Sequence, residues 1–193
     1  MKYKFMSVSF ILICFSYLSF GQNIGAGENM NSIKIPPALK AEHDNLHTVL
    51  EKALNSGGKT AAAAEEVEEK LRPHFLEEEE YALPPLGLLV PLSEGNLDPQ
   101  MAEAIPLANR LKTNYKKMLQ EHEAIVLSLK KLSSASHDEN KPEYARFAAD
   151  LILHAQNEEQ VLYPATILIG KYLEIKFPKT ETASSPKSSG SAK

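Results

Sequence analysis

"HAQNEEQVLYPA", from His154 to Ala165, has the composition of a helix and places His154 and Glu158 four residues apart among apolar neighbours. "HFLEEEEYALPP", from His74 to Pro85, does the same with His74 and Glu78. Residues four apart share one face of a helix. Each His-x3-Glu pair therefore offers an imidazole nitrogen and a carboxylate oxygen in one direction. Imidazole with carboxylate suits iron, zinc or manganese. The two stretches also keep Glu79 and Pro84 in step with Glu159 and Pro164.

Two further histidines keep similar company. "EHDNL" (Glu42–Leu46) is matched later in the chain by "EHEAI" (Glu121–Ile125). The offset equals, to within one residue, that between the two His-x3-Glu segments. Each half of the chain thus reads as one helical hairpin carrying a histidine and then His-x3-Glu.

Apolar residues spaced by three and four define four inward stripes. They read Leu39, His43, Leu46, Leu50, Ala53; Ala64, Val67, Leu71, His74, Glu78, Tyr81; Leu111, Tyr115, Met118, His122, Ile125, Leu129, Leu132; and Tyr144, Phe147, Leu151, His154, Glu158, Val161. Every stripe is interrupted by a histidine, and two also by a glutamate. A lone inward histidine is ordinarily a core residue satisfied by a backbone carbonyl. Six inward polar groups are different, because each costs a few kcal/mol without a partner. Together they would consume most of a domain's net stability, of order 5–15 kcal/mol. One shared metal site offsets all six.

The elements that must position these groups are helices. Pro36 and Pro37 open a first helix that runs to about Asn55, and Gly57 and Gly58 break it. A second runs from about Lys59 to Ala82 with Pro73 inside it, where a kink is expected. "LPPLGLLVPLSEGNLDP" is a long connection, apolar enough to pack over the end of a bundle. A third helix, with Pro106 near its start, ends near Ser133, and "SASHDENKP" is a loop. A fourth runs from about Glu143 to Leu162, and "TILIGKYLEIKF" forms a shorter helix after Pro164. The midpoint between His43 and His74 falls at Gly57–Gly58, and that between His122 and His154 falls in the His137–Asn140 segment. Antiparallel hairpins then bring each pair to one height. The predicted fold is all-α: an antiparallel up-down-up-down four-helix bundle with a short extra C-terminal helix.

Composition narrows the classes. The 193 residues suffice for one domain with a real core, and the net charge of −4 excludes a nucleic-acid footprint. Residues 1–21 read as a secretory signal peptide, with "MKYK" ahead of an apolar run and Ser19 and Gly21 at a cleavage site before Gln22. The alternative is an uncleaved anchor, for which the run is at the short end. Cleavage implies a secreted or periplasmic protein with no stable membrane insertion. Cys14, the only cysteine, falls within this segment, so thiolate ligation and thiol catalysis drop out. Residues 22–35 are an N-terminal linker, 36–177 the bundle, and 178–193 a Ser/Lys/Pro tail expected to be disordered. Oligomeric state is not encoded in any visible motif.

His43, His74-x3-Glu78, His122 and His154-x3-Glu158 together resemble the signature of hemerythrin-like, or HHE cation-binding, domains, over roughly residues 36–175. The resemblance implies a four-helix bundle with a non-haem di-iron centre. His43, His74, His122 and His154 would be terminal imidazole ligands, and Glu78 and Glu158 bridging carboxylates. Family members bind oxygen, sense oxygen or iron, or handle nitric oxide and peroxide. Oxygen carriers use five histidines. His47, one turn beyond His43 at the edge of the stripe, is the candidate fifth; the alternative is a polar edge residue, since its repeat partner is Val126. The cysteine-rich segment of iron-cluster repair relatives is absent. The expected partner is a small diatomic ligand such as oxygen or nitric oxide. The competing readings are an enzyme acting on nitric oxide or peroxide, and a structural bundle holding zinc. Tyr81 and Tyr163 are expected to pack beside the site, and His137 to lie on the surface.

Overall fold

The computed structural model describes residues 33–178. The expected signal peptide, most of the linker and the tail beyond Pro178 lie outside the described residues.

Helix α1 spans Pro37–Leu54, with proline at its start where the missing N–H is not needed. Helix α2 spans Gly58–Glu77 and continues through Pro73, on its exposed face. Between them the chain reverses at Gly57 and Gly58, both with positive φ (72° and 68°). A Cβ at Gly58 would run into the Glu139 carboxylate, so glycine is required twice over there. That carboxylate caps α2 in place of a local side chain. It accepts from the backbone N–H of Lys59 (2.6 Å) and Thr60 (3.1 Å) and from the Thr60 hydroxyl (2.7 Å). Lys141 Nζ donates to Glu139 and to the carbonyls of Ser56 and Gly57, tying the two hairpin turns together.

The connection after α2 is structured, as its apolar content predicts. It holds a 3-10 turn at Pro84–Leu88, the short helix α3 at Leu89–Ser93, and a second 3-10 turn at Pro99–Glu103. Helix α4 spans Ala104–Asp138. It outruns the expected end near Ser133 because the inward stripe continues: Leu132 and Ser136 are both buried. Asn140, at φ 55°, then turns the chain. Helix α5 spans Pro142–Asn157 and α6 spans Tyr163–Lys176. The expected break before the C-terminal piece is instead a single wide π-helical turn, Glu158–Leu162, joining α5 to α6. Its counterpart, Glu78–Ala82, extends α2.

Helices α1, α2, α4 and α5 form the bundle. α2 packs on α1 and α4, α4 also packs on α5, and α5 meets α1 to close the ring. α6 lies along α4, with Gly170 against Ala108 at a distance that leaves no room for a Cβ. Three apolar clusters fill the interior. One near the hairpin turns is built from Leu50, Val67, Leu71, Phe75, Leu129, Leu132 and Leu151 among others. Another, under the long connection, includes Leu83, Leu86, Met101 and Leu173. Tyr81, Leu111, Met118 and Tyr163 belong to the third. Burying each large side chain contributes about 1.5–3 kcal/mol.

Val161 departs from the expected stripe: it is 54% exposed. The π turn inserts one extra residue, so the inward position after Glu158 falls at Tyr163, which is fully buried.

Candidate metal centre

The structure brings His43, His74, Glu78, His122, His154 and Glu158 together, all buried. α1 supplies His43, α2 His74, α4 His122 and α5 His154. The two glutamates open the two π turns. In each turn the N–H of the residue before proline bonds five residues back, Leu83 to Glu78 and Tyr163 to Glu158. Pro84 and Pro164 follow directly. A proline clashes with the carbonyl four residues earlier in an α-helix, and a wide turn relieves that conflict. The same device therefore recurs in both halves, next to the two central carboxylates.

Two groups of donor atoms can each hold a metal ion. His74, Glu78, His122 and Glu158 form one; His43, His154 and Glu158 form the other. Glu158 belongs to both. In the first group, Glu78 Oε1 lies 3.0 Å from His74 Nε2 and 3.7 Å from His122 Nε2, and Glu158 Oε2 lies 3.5 Å from His122 Nε2. In the second, Glu158 Oε1 lies 3.2 Å from His154 Nε2 and 3.6 Å from His43 Nε2. Glu78 Oε2 reaches toward the second group, 3.9 Å from His43 Nε2.

The donors fit a cation better than they fit one another. His43 Nε2, His154 Nε2, Glu78 Oε2 and both oxygens of Glu158 are buried without a hydrogen-bond partner. They stand at ion-pair distances but lack the alignment of a hydrogen bond. Unmet buried polar atoms cost about 1–3 kcal/mol each, so a cluster of them facing one point marks a site for something they coordinate.

Electrostatics binds the set tightly. Burial alone would raise the Glu158 carboxyl, but the imidazoles of His122, His154 and His43 outweigh it and hold it well below the usual carboxylate range. Burial would likewise lower His122 and His154. The close carboxylates of Glu158 and Glu78 overcome that and bring them to about 10 and about 9. Glu78 raises His74 against burial in the same way.

A second ring of carboxylates orients the imidazoles from outside. His74 Nδ1 lies 3.0 Å from Glu121, His122 Nδ1 2.9 Å from Glu159, and His154 Nδ1 3.1 Å from Glu42. His43 Nδ1 is 3.4 Å from Glu79, without a well-directed hydrogen bond. Such partners fix which ring nitrogen faces inward. The sequence pattern by itself assigns no role to Glu42, Glu79, Glu121 or Glu159. The signal was present: Glu42 and Glu121 precede matched histidines, and Glu79 and Glu159 follow matched glutamates.

Two expectations change. His47 joins neither group. It is half-buried, with its ring edge-on to Phe75 at 5.1 Å, while Phe75 stacks on His43 at 4.2 Å. A step of four residues from His43 carries His47 past the inward face, and Phe75 fills the space beside it. Tyr163 is more than packing. Its hydroxyl donates to Glu78 Oε1 and lies 3.3 Å from His122 Nε2 and 3.5 Å from His74 Nε2. Tyr81 turns away, its hydroxyl bonded to Glu77 (2.5 Å). Glu77 also takes Lys117 (2.5 Å), so it faces out of the centre. His137 is exposed in the last turn of α4.

A helical bundle with four imidazoles and two carboxylates converging at its middle defines a metal-binding helical protein. Over residues 35–166 the chain matches the hemerythrin HHE cation-binding domain, and it belongs to that family. No curated protein and no solved structure matched it.

Proposed function

We propose that the protein is an exported non-haem di-iron protein that binds a small diatomic ligand, serving in oxygen binding, storage or sensing. The observation that carries this reading is the pair of donor groups sharing Glu158. Two ions held close enough to share a carboxylate can act jointly on one small molecule. His43, His154 and Glu158 would hold one ion, and His74, His122, Glu78 and Glu158 the other. Imidazole and carboxylate without thiolate suit iron, and the family makes iron the typical cation. The iron pair would supply reversible redox chemistry toward the bound ligand. The chain's own residues do the rest. The outer carboxylates orient the imidazoles, and the buried Phe75 ring, packed on His43 and His154, keeps bulk water from that side of the centre. Export rests on the sequence of residues 1–21. Among the described residues, no helix is long and apolar enough to cross a membrane.

The placement of His47 favours a second reading. With four imidazoles instead of five, both ions keep more open positions, which suits turnover of nitric oxide or peroxide. The test is metal analysis of protein from its native compartment, followed by exposure of the reduced protein to oxygen. About two irons per chain and a colour change reversed under vacuum support the binding reading. Steady consumption of nitric oxide or peroxide supports the enzyme. Zinc alone, from iron-replete cells, overturns both in favour of a structural bundle.

A further inference from the structure

We propose that Tyr163 is a seventh ligand, its phenolate oxygen binding the cation held by His74, His122, Glu78 and Glu158. The proposal rests on the metal-centre reading above and deepens it.

Four observations converge on this hydroxyl. Tyr163 is fully buried, so its oxygen cannot turn to solvent. The oxygen lies 3.5 and 3.3 Å from the inward nitrogens of His74 and His122 and is hydrogen-bonded to Glu78 Oε1, which makes it a neighbour of three of the four donors in that group. Ligands about 2.1 Å from one small cation stand about 3 Å apart when adjacent, and the phenol takes such an adjacent place. The π turn is what turns Tyr163 inward, since in an unbroken α-helix of the same sequence Val161 or Leu162 would hold that height. Finally, the ring is stacked on His122 (5.6 Å, 18° between planes), which fixes the direction of the oxygen.

The pseudo-repeat shows that this is not a general feature of the bundle. Leu83 occupies the equivalent place after the first π turn, and its apolar side chain joins the cluster under the long connection. The half with Tyr163 therefore offers the His74/His122 position five donors, four of them oxygen or nitrogen atoms already assigned above. The His43/His154 position is faced instead by the Phe75 ring. The centre is unsymmetrical. One cation is enclosed, with an anionic oxygen that holds the higher charge state, and the other keeps open positions for the small ligand. Tyrosinate is an established ligand for ferric iron in haem proteins, so the chemistry is sound. On coordination the phenol O–H bond is replaced by a metal–oxygen bond, and the proton leaves to solvent with those displaced from the imidazoles.

The experiment loads the full mature chain with ferrous iron, oxidises it with ferricyanide, desalts it, and measures iron content before any spectrum. The parent is expected to show a visible phenolate-to-iron(III) absorption band and enhanced tyrosine ring modes in resonance Raman. Tyr163→Phe should keep the fold and lose both, and Tyr115→Phe should keep both. A parent band that survives in Tyr163→Phe at equal iron content overturns the proposal and leaves the di-iron reading standing. A parent without iron overturns the di-iron reading, and the proposal with it. Should Tyr163→Phe fail to hold iron, the parent grown on ring-deuterated tyrosine decides: isotope-shifted modes that persist in Tyr115→Phe support coordination, and their absence overturns it.

Discussion

Glu121 precedes His122 in the chain, yet its carboxylate serves His74, on the facing helix, at 3.0 Å from Nδ1. The partner half repeats the relation, with Glu42 next to His43 but bonded to His154 at 3.1 Å. Each of these two histidine-bearing turns thus orients the imidazole of a neighbouring helix. Glu121→Gln keeps the shape but weakens the acceptor, and metal affinity is expected to fall about 10- to 100-fold. Competition with a chelator checks this, against an unchanged helical circular-dichroism spectrum. Unaltered affinity would make Glu121 a surface carboxylate and nothing more.

His74→Ala and Glu158→Ala should reduce metal content, Glu158→Ala more severely because its carboxylate belongs to both donor groups. His137→Ala, exposed at the end of α4, should retain about two ions per chain. Metal analysis after gel filtration distinguishes the three. Full metal in all of them would reduce the constellation to a buried polar network.

His47→Leu should leave metal content unchanged. The ring touches Phe75 edge-on, so its loss costs about 1 kcal/mol or less. Oxygenation of the reduced protein should proceed with the same spectrum and lifetime as in the parent. A variant that loses iron would restore His47 to the ligand set.

Glu139 gives the protein an acid limit. Hydrogen bonds from Lys141, Thr60 and Lys59 hold its carboxyl at about 2, below the ordinary 4.5. A depressed carboxyl contributes stability that is present above its unfolded value and lost as pH falls through the folded one. Melting temperatures of the parent and Glu139→Gln should therefore differ at neutral pH and converge between pH 4.5 and about 2. A difference that persists undiminished at the acid end would exclude the charge as its source.

Gly58→Ala forces a side chain into positive φ and into the Glu139 cap. The backbone strain alone costs about 1–2 kcal/mol. Urea denaturation should show the loss, whereas Gly57→Ala, with open space around it, should carry only the strain. Equal losses in both would mean that Glu139 swings away freely.

The bundle and its six central donors were legible because the period of three and four was kept by polar residues. His43, His74, His122 and His154 stand where leucine would satisfy the stripe, and only their chemistry distinguishes them. The end of α4 was missed because Ser136 is a buried polar residue in a serine-rich stretch; its hydroxyl bonds the carbonyl of Leu132 within the helix. Val161 was misplaced for a different reason. A π turn breaks the period without changing composition, and its local sign is a proline six residues past a helical glutamate, which also reads as a helix end. The outer carboxylates sit on half-exposed faces, where glutamate is the ordinary residue. Only their repeat in both halves marks them.

The π turn at Glu158–Leu162 is in effect a one-residue insertion that the bundle has absorbed. Each residue advances an α-helix by about 100°, so the turn sets the rotational phase of all of α6 relative to α5. Thr166, Ile169, Gly170 and Leu173 face inward only in that phase, and the Thr166 hydroxyl bonds the Ala82 carbonyl from it. Deleting Gln160 would remove the surplus residue and keep that phase, whereas drawing the unchanged sequence into a plain α-helix would swing the whole face outward by about 100°. Tyr163 would leave the centre in the same motion. The candidate metal centre and the inward face of α6 are thus geared together through one surplus residue, and neither can be re-registered alone.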